Sequence, residues 1–184
     1  MPTLNGVDTD KVTQLVDAID ARPELANVSF NVASTWSGGF RAASKTGAVR
    51  QAGVVDATRD VTFALESDEP PALLGDDTAA SAGEYVLKAL AACYSVTFAA
   101  NAAGEGIELS SLAFELEGDF DLHGFLGLKE GVRAGMQQLR VTVRVASPNA
   151  TREQLEQLVR TVEQRSPIRD TLARPVEVVT TLAV

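Results

Sequence analysis

The sequence is poor in the residues that build disulfide frameworks and metal sites. It contains one cysteine, Cys93, and one histidine, His123. A single thiol excludes an intramolecular disulfide, and one cysteine with one histidine leaves no set of zinc ligands. We therefore expect neither a metal nor another cofactor. An unpaired thiol also fits a reducing compartment, so the sequence predicts a cytoplasmic protein.

Basic residues are also scarce. Lys and Arg number 16 against 25 Asp and Glu, which gives a formal net charge of −9. No basic run or basic–aromatic stripe occurs, so nucleic-acid binding is not expected. The N-terminus lacks a charged segment followed by an apolar one, so no secretory signal is predicted. Hydrophobic residues make up 45% of the 184 positions, which predicts a single domain over 1–184 with residues 1–25 as a helical extension.

The longest apolar segment, residues 84–104, carries the cysteine. Neither Gly nor Pro interrupts it before Gly104, which is a natural C-terminal stop. It predicts a helix about 30 Å long. The same length would suit a membrane span, but Lys88, Asn101 and the many alanines favour the core helix of a soluble protein. Contact with a membrane is therefore not expected.

The flanking segments predict an α+β fold with mostly antiparallel sheets around the long helix. Apolar spacing predicts a helix that starts at Thr9 or Asp10 and ends before Pro23, and another that starts at a capping box of Thr151 and Gln154. Apolar residues that alternate with polar ones predict strands, over residues 28–36, 40–50, 61–65, 107–116, 139–145 and 176–182.

Three irregular segments complete this prediction. A phase slip at Ser110 and Ser111 predicts a bulge in the strand 107–116. A turn is expected at 166–169. The Gly-rich stretch 119–135 has no clear period, and a loop of that length between strands is usually functional or interfacial.

Several short motifs follow one another along the chain in a recognisable order. The pattern Glu-Tyr-x-Leu-x-Ala-Leu-x-Ala-Cys ends at Cys93, and Trp-Ser-Gly-Gly-Phe-Arg occupies 36–41. Three further segments, 101–109, 117–128 and 165–172, follow the helix. Together these motifs resemble the OsmC/Ohr family of small α+β proteins, in a long-loop branch, over roughly residues 28–184.

The resemblance implies an intertwined homodimer, in which strands of both chains build each sheet and the two long helices lie at the centre. It also implies sites at the dimer interface. In the branches that reduce organic hydroperoxides, a Cys on the central helix attacks the peroxide oxygen. An Arg from the glycine turn stabilises the thiolate, a Glu near the helix start holds that Arg, and a second Cys resolves the sulfenic acid.

Carried over to this chain, the resemblance places Cys93 at the peroxidatic position and Arg41 at the glycine-turn Arg. Arg41 is shifted by one residue, which reverses the side-chain face on a strand. Ser166 stands at the resolving position, so no internal disulfide can form. The family's Glu position, ten residues before the Cys, is Gly83. Glu84 lies about 900° around the helix from Cys93, on the opposite side, so stabilising the helix N-terminus is favoured over a catalytic role.

Two functions follow. In the first, Cys93 and Arg41 form a thiol-dependent peroxidase for small organic hydroperoxides, with an external thiol as reductant. In the second, a non-catalytic dimer of the same fold binds a small apolar ligand in its interface pocket, and Cys93 only lines it, as its apolar helical neighbours suggest. The retained Cys and Arg favour the first.

The segment 119–135 offers weaker candidates. His123 lies beside Asp119 and Asp121, which suggests a metal or acid–base cluster, but with one histidine a solvated or interfacial loop is favoured. An apolar tip follows, for which a dimer contact or the active-site mouth is the natural use; it comprises Phe125, Leu126 and Leu128.

Overall fold

The structure is a computed structural model that describes residues 3–183. Residues 1, 2 and 184, which the single-domain and N-terminal predictions include, lie outside the described residues. The chain divides into two compact units, one of residues 8–85 and the other of residues 3–7 and 86–183. Helices and antiparallel sheets are mixed, with one long helix, which confirms the α+β class. The single-domain assignment stays a prediction.

The described chain opens with two short strands and a helix. The strands are β1 (Thr3–Leu4) and β2 (Val7–Asp8), and the helix is α1 (Thr9–Ala21). The Asp8 side chain caps α1 by accepting a hydrogen bond from the Lys11 N–H at 3.1 Å. The helix ends ahead of Pro23, because a residue that precedes proline avoids the helical conformation. Both predicted ends of this helix are confirmed.

The first unit contains two small three-stranded antiparallel sheets, ordered β3-β6-β7 and β4-β5-β8. Their strands are β3 (Val28–Ser29), β4 (Val32–Gly38), β5 (Arg41–Thr46), β6 (Arg50–Gln51), β7 (Val54–Val55) and β8 (Ala64–Ser67). The predicted strands 28–36 and 40–50 are therefore each broken in two. Asn31 explains the breaks, because its carbonyl accepts the Gly47 N–H at 2.8 Å and its amide donates to the Ala48 carbonyl at 2.8 Å.

The strand predicted over 61–65 begins three residues later, at Ala64. Phe63 still lies beside β5, since it exchanges hydrogen bonds with Thr46 of that strand. The chain then enters a loop held by the buried carboxylate of Asp68, which accepts hydrogen bonds from the Glu69 N–H and from the N–H and hydroxyl of Thr78. These bonds hold the loop that leads into the long helix.

The second unit is built on that long helix, α2 (Ala82–Gly104), whose first four residues belong to the first unit. Two nine-residue strands follow, β9 (Ser111–Asp119) and β10 (Gln138–Ala146), with the short helix α3 (Leu122–Phe125) between them. They pair antiparallel from Ser111 opposite Ala146 to Asp119 opposite Gln138. The strand predicted over 139–145 is confirmed.

The core of the second unit joins α2 to this sheet and to α4 (Arg152–Arg165). The Phe114 ring lies 5.9 Å from that of Tyr94 and 5.6 Å from that of Phe98, between centroids. Leu158 and Val162 of α4 are fully buried in the same core. By length and composition α2 could cross a membrane, but its buried face packs here, as the core-helix interpretation predicts.

The start of α4 confirms the predicted capping box. The Thr151 hydroxyl accepts the Gln154 N–H, and the Gln154 side chain accepts the Thr151 N–H. This reciprocal pair satisfies two of the N–H groups that a helix start leaves without intrahelical partners.

The strand predicted over 107–116 is confirmed from Ser111 onward, but its first part and its bulge are wrong. β9 begins only at Ser111, and its register with β10 is continuous. Residues 107–109 are held instead by Asn5, whose amide donates to the Ile107 carbonyl and accepts the Leu109 N–H, both at 2.8 Å. The side-chain amide takes the place of a neighbouring strand, which apolar alternation cannot reveal.

Two predictions near the C-terminus are also wrong. Residues 166–169 do not form an isolated turn but begin a helix, α5 (Pro167–Ala173). The strand predicted over 176–182 is absent from the described residues, which carry no regular structure after α5. A segment with alternating apolar residues forms a strand only where the edge of a sheet is free to pair with it. This segment pairs with no strand of the described chain.

Candidate active site at Cys93

Cys93 lies near the middle of α2, and its free thiol is half-buried. Leu90 and Thr97, one turn before and one turn after it, are buried. The Thr97 hydroxyl donates to the Cys93 carbonyl at 2.8 Å. The thiol therefore sits at the border between the core face of the helix and its exposed face.

Ser166 places its hydroxyl against this thiol. Its Oγ lies 3.1 Å from Cys93 Sγ, and the residue is only 1% exposed, so water does not compete for the hydroxyl. The same oxygen caps α5 by accepting the Arg169 N–H at 3.4 Å. Because the oxygen is the acceptor for that N–H, its single proton is available to the sulfur. Ser166 therefore donates and Cys93 accepts.

Pro167 explains why Ser166 has this position. A residue before proline avoids the helical region, and Ser166 is extended, with φ −73° and ψ 114°. α4 therefore ends at Arg165. Proline suits the first position of the next helix, where its missing N–H has no intrahelical partner to lose. The two helices meet at a corner, and Ser166 occupies the corner.

Polar contacts continue from the thiol along α2 at intervals of four residues. The Asn101 amide donates to the Thr97 carbonyl at 2.7 Å, and Arg165 Nη1 donates to Asn101 Oδ1 at 2.7 Å. Arg165 immediately precedes Ser166. The corner between α4 and α5 is therefore tied to α2 at two points, Cys93 and Asn101, which fixes the distance between the serine hydroxyl and the sulfur.

A cavity of about 370 Å³ lies in the same unit, on the side of α2 that carries Tyr94. Its apolar wall comes from α2, β10, α4 and α5, and includes Leu90, Val141, Val159 and Leu172. Glu163 and Arg169 bring opposite charges to it. Burial raises the pKa of the Tyr94 hydroxyl, and the positive charge of Arg169 opposes that rise.

Comparison with known proteins decides the family. The OsmC-like protein family model matches residues 75–181, which is more than half of the chain. The chain belongs to the OsmC-like protein family. No curated protein matches it.

Solved structures agree with this OsmC-like assignment. An OsmC like protein from Mycoplasma pneumoniae is 16% identical, with a TM-score of 0.60, and the match covers 79% of this chain and 87% of that one. The organic hydroperoxide resistance protein OsmC from Legionella pneumophila is 15% identical, with a TM-score of 0.54 and coverage of 78% and 88%. The organic hydroperoxide resistance protein OhrB of Bacillus subtilis is 17% identical, with a TM-score of 0.50, and the match covers 81% of this chain and 93% of that one. At these identities the likeness shows the fold.

Arg41 of this OsmC-like protein is the first residue of β5, in the first unit, and its side chain is exposed. Across the turn, the register shifts between Trp36 and Gly38, so Ser37 is an extra residue on β4. On β5, Arg41 shares its exposed face with Ala43 and Lys45. Its predicted role beside Cys93 stays a prediction.

Glu84 closes a capping box at the start of α2. Its carboxylate accepts the Ser81 N–H at 2.7 Å, and the Ser81 hydroxyl accepts the Glu84 N–H at 3.3 Å. The bond from the Ser81 N–H, followed by that from the Ser81 side chain, holds the pKa of the Glu84 carboxyl below its usual value. These hydrogen bonds give Glu84 a structural role at the start of the helix. A catalytic role for Glu84 stays a prediction.

The residues of the loop 119–135 are used locally. His123 Nδ1 lies 2.7 Å from Asp121 Oδ1, and Asp119 pairs with Arg140 of β10. Among residues 3–183, no group of His, Cys, Asp and Glu side chains is arranged to hold a metal ion. The apolar tip is exposed at each of its three residues, Phe125, Leu126 and Leu128.

Sequence reasoning missed the link from Asn101 to Arg165. Part of its signal is readable, because Cys93, Thr97 and Asn101 form a polar row at i, i+4 and i+8 on an otherwise apolar helix. The partner, 64 residues away, is not readable, because only the tertiary packing of α4 on α2 brings it there.

Proposed function

We propose that this OsmC-like protein reduces small organic hydroperoxides, with Cys93 as the nucleophile. The observation that carries the proposal is the 3.1 Å contact in which Ser166 donates its hydroxyl proton toward Cys93 Sγ. The thiolate is the species that attacks a peroxide, and the serine hydroxyl is placed to hydrogen-bond to the attacking sulfur.

The reaction balances with one cysteine. The thiolate sulfur attacks the terminal peroxide oxygen, the O–O bond breaks, and the alkoxide leaves and takes up a proton as the alcohol. Cys93 is oxidised to the sulfenic acid. One molecule of an external thiol then forms a mixed disulfide with loss of water. A second thiol releases Cys93 as the oxidised external disulfide departs.

The external reductant is required because Ser166 stands where a resolving thiol would be. A serine cannot form a disulfide, and Cys93 is the only cysteine of the chain. The Ser166 hydroxyl instead remains beside the sulfur during the cycle and hydrogen-bonds to its oxidised form. We expect a dithiol to serve best, since its second thiol attacks the mixed disulfide intramolecularly.

We further propose that the active form is a homodimer and that a partner copy brings Arg41 near the thiol. Within the described second unit, no Lys, Arg or His side chain hydrogen-bonds to Cys93, and Arg165 is engaged by Asn101. A cation supplied from another chain would complete the site. A cytoplasmic location is part of the same proposal, because a reducing compartment supplies the thiols.

The second candidate is a non-catalytic protein that binds an apolar ligand, with Cys93 as lining. The half-buried state of the thiol and its buried apolar neighbour Leu90 favour it. The two candidates differ in one property: only the peroxidase needs the sulfur to react.

The test is peroxide consumption by the full chain, with cumene or t-butyl hydroperoxide as substrate and dithiothreitol as reductant. We expect turnover above the rate of dithiothreitol alone, its loss in Cys93→Ser, and at least tenfold slower turnover in Arg41→Gln. Lys45→Gln, on the same exposed face of β5, is the matched control and keeps the activity. A wild-type rate equal to that of the free dithiol would leave the binding protein as the better account.

A further inference from the structure

The cavity beside Tyr94 has the make-up of a ligand site that neither candidate function uses. Its volume of about 370 Å³ lies within the range of small-molecule pockets, roughly 300–1,000 Å³. Its walls are apolar side chains from α2, β10, α4 and α5, and Cys93 is not among the lining residues. A pocket of this kind binds through its apolar surface and gains specificity from a few polar groups.

Two of those groups carry opposite charges and are not paired with each other. Glu163 of α4 and Arg169 of α5 both line the cavity, yet their charged atoms are more than 4.0 Å apart. Neither forms an ion pair with another residue of the described chain. An unpaired cation and an unpaired anion at one apolar cavity leave room for a ligand that carries both charges.

The third polar group is the Tyr94 hydroxyl. Tyr94 is 4% exposed, lines the cavity, and lies close enough to Arg169 and Glu163 to interact with the charges of both. Its hydroxyl lies within reach of the Arg169 side chain, whose positive charge acts on it. A ligand carboxylate at the cavity would bond to both groups.

We propose that this cavity binds a small zwitterion with an apolar body, of the class of aromatic α-amino acids. The ligand carboxylate bonds to Arg169 and to the Tyr94 hydroxyl, and its ammonium group bonds to Glu163. Its apolar body lies against Leu90, Val141 and Leu172. The inference does not rest on peroxidase activity.

The ligand class follows from what each group excludes. A monocarboxylate would pair with Arg169 but would place its charge near Glu163, and an amine would do the reverse. Charge-assisted hydrogen bonds are about twice as strong as neutral ones. A ligand that carries both charges therefore binds more tightly than a ligand that carries only the carboxylate or only the ammonium group. The aromatic ring of Tyr94 at the wall favours an aromatic body.

Isothermal titration of the full chain with three probes tests the proposal: L-phenylalanine, phenylacetate and phenethylamine. We expect phenylalanine to bind about tenfold or more tightly than either of the others. Arg169→Gln should weaken the binding of phenylalanine and of phenylacetate about tenfold and leave the affinity for phenethylamine unchanged. Glu163→Gln should weaken the binding of phenylalanine and of phenethylamine and leave the affinity for phenylacetate unchanged.

Matched controls lie on α4, away from the cavity. Arg160→Gln and Glu156→Gln remove the same charges from exposed positions and should change no affinity. Equal binding of the three probes, binding of none, or the same response to both charge variants would overturn the proposal. Cys93→Ser should bind phenylalanine as the wild type does, so failure of the binding test and failure of the peroxidase assay are read separately.

Discussion

The two units of this protein differ in what holds them together. Every buried apolar side chain of the described chain belongs to the second unit: Leu90, Tyr94, Phe98, Ala102, Ala103, Ile107, Leu158 and Val162. The first unit has a single fully buried side chain, the carboxylate of Asp68. Most of its large apolar residues are exposed instead, namely Val12, Leu15, Val16, Val28, Phe30, Val32, Trp36, Phe40, Val54, Val55, Val61, Phe63, Leu73 and Leu74.

The difference bears on how each unit is stabilised. Ordering a residue costs roughly 1–2 kcal/mol of backbone entropy, and burial of apolar surface is the main offset. The second unit has that offset within its own chain. The first unit does not, and an exposed apolar surface of this extent is typical of a protein interface. A second copy of the chain is the occupant that the proposed homodimer supplies.

The largest expected effect is the loss of a ring from the core of the second unit. Phe98 is 0% exposed and contacts the Phe114 ring, so Phe98→Ala should lower the free energy of unfolding by about 3–5 kcal/mol. The measurement is urea unfolding followed by circular dichroism. The matched change in the first unit is Phe30→Ala, where the ring is 75% exposed.

At protein concentrations that favour the monomer, Phe30→Ala should change the free energy of unfolding by no more than about 0.5 kcal/mol. Equal costs for the two substitutions in dilute protein would show that the first unit has a core of its own, and the contrast between the units would not hold.

The next prediction concerns the exposed face of β4. If a second copy covers it, Val32→Lys places a charge in an apolar interface and should weaken self-association at least about tenfold, as measured by sedimentation equilibrium. Val12→Lys is the control, because it makes the same change at an exposed position of the helix α1, away from the sheet. The melting temperature of the wild type should also rise with protein concentration, and that of Val32→Lys should not.

A wild-type chain that sediments as a monomer at all concentrations would exclude the homodimer. Loss of association in Val12→Lys but not in Val32→Lys would instead move the interface from the sheet to α1.

A smaller effect is expected at the corner that holds the thiol. Ser166→Ala removes the cap of α5 and should lower the free energy of unfolding by about 1 kcal/mol. It also removes the donor to Cys93, so peroxide turnover should fall. Ser166→Cys restores a thiol at the resolving position, and peroxide should then produce an intramolecular disulfide, seen as a faster band on a non-reducing gel.

Thr171→Ala, which loses a hydroxyl bonded only to the Pro167 carbonyl of the same helix, is the matched control and should keep its activity. If Ser166→Ala turns over peroxide at the wild-type rate, the serine acts only as a helix cap.

Much of the secondary structure of the second unit was predictable, because the sequence patterns that encode it lie within single helices or strands. The capping box at Thr151 and Gln154 and the alternation over 139–145 act within one element, and both predictions are confirmed. The helix α5 was missed although Ser166 and Pro167 form a readable cap and first position. The strand predicted over 176–182 was wrong because alternation does not supply a pairing edge.

The site was predictable only in its parts. A single cysteine on the longest helix identifies Cys93, and the family resemblance points to Ser166, but the contact between them joins residues 73 positions apart. No periodicity encodes such a contact. The tie from Arg165 to Asn101 depends on the same packing of α4 on α2 and was not predicted for that reason.

The last and smallest prediction uses acid to probe the one buried side chain of the first unit. Hydrogen bonds from Thr78, above all from its N–H, hold the pKa of Asp68 below the reference value of 3.8. The unfolded chain therefore binds the proton more readily than the folded one. The contribution of Asp68 to stability is complete above pH 3.8 and is lost as the pH falls through the lower, folded value.

Asp68→Asn should consequently be less stable than the wild type at neutral pH, and the two should converge in acid. Hydrogen exchange at the Thr78 amide and the fluorescence of Trp36, the single tryptophan, report on the first unit. Asp76→Asn, in the same loop but exposed, is the control and should follow the wild type at every pH. A stability gap between Asp68→Asn and the wild type that stays constant down to the acid limit would show that the hydrogen bonds of Asp68 do not depend on its charge.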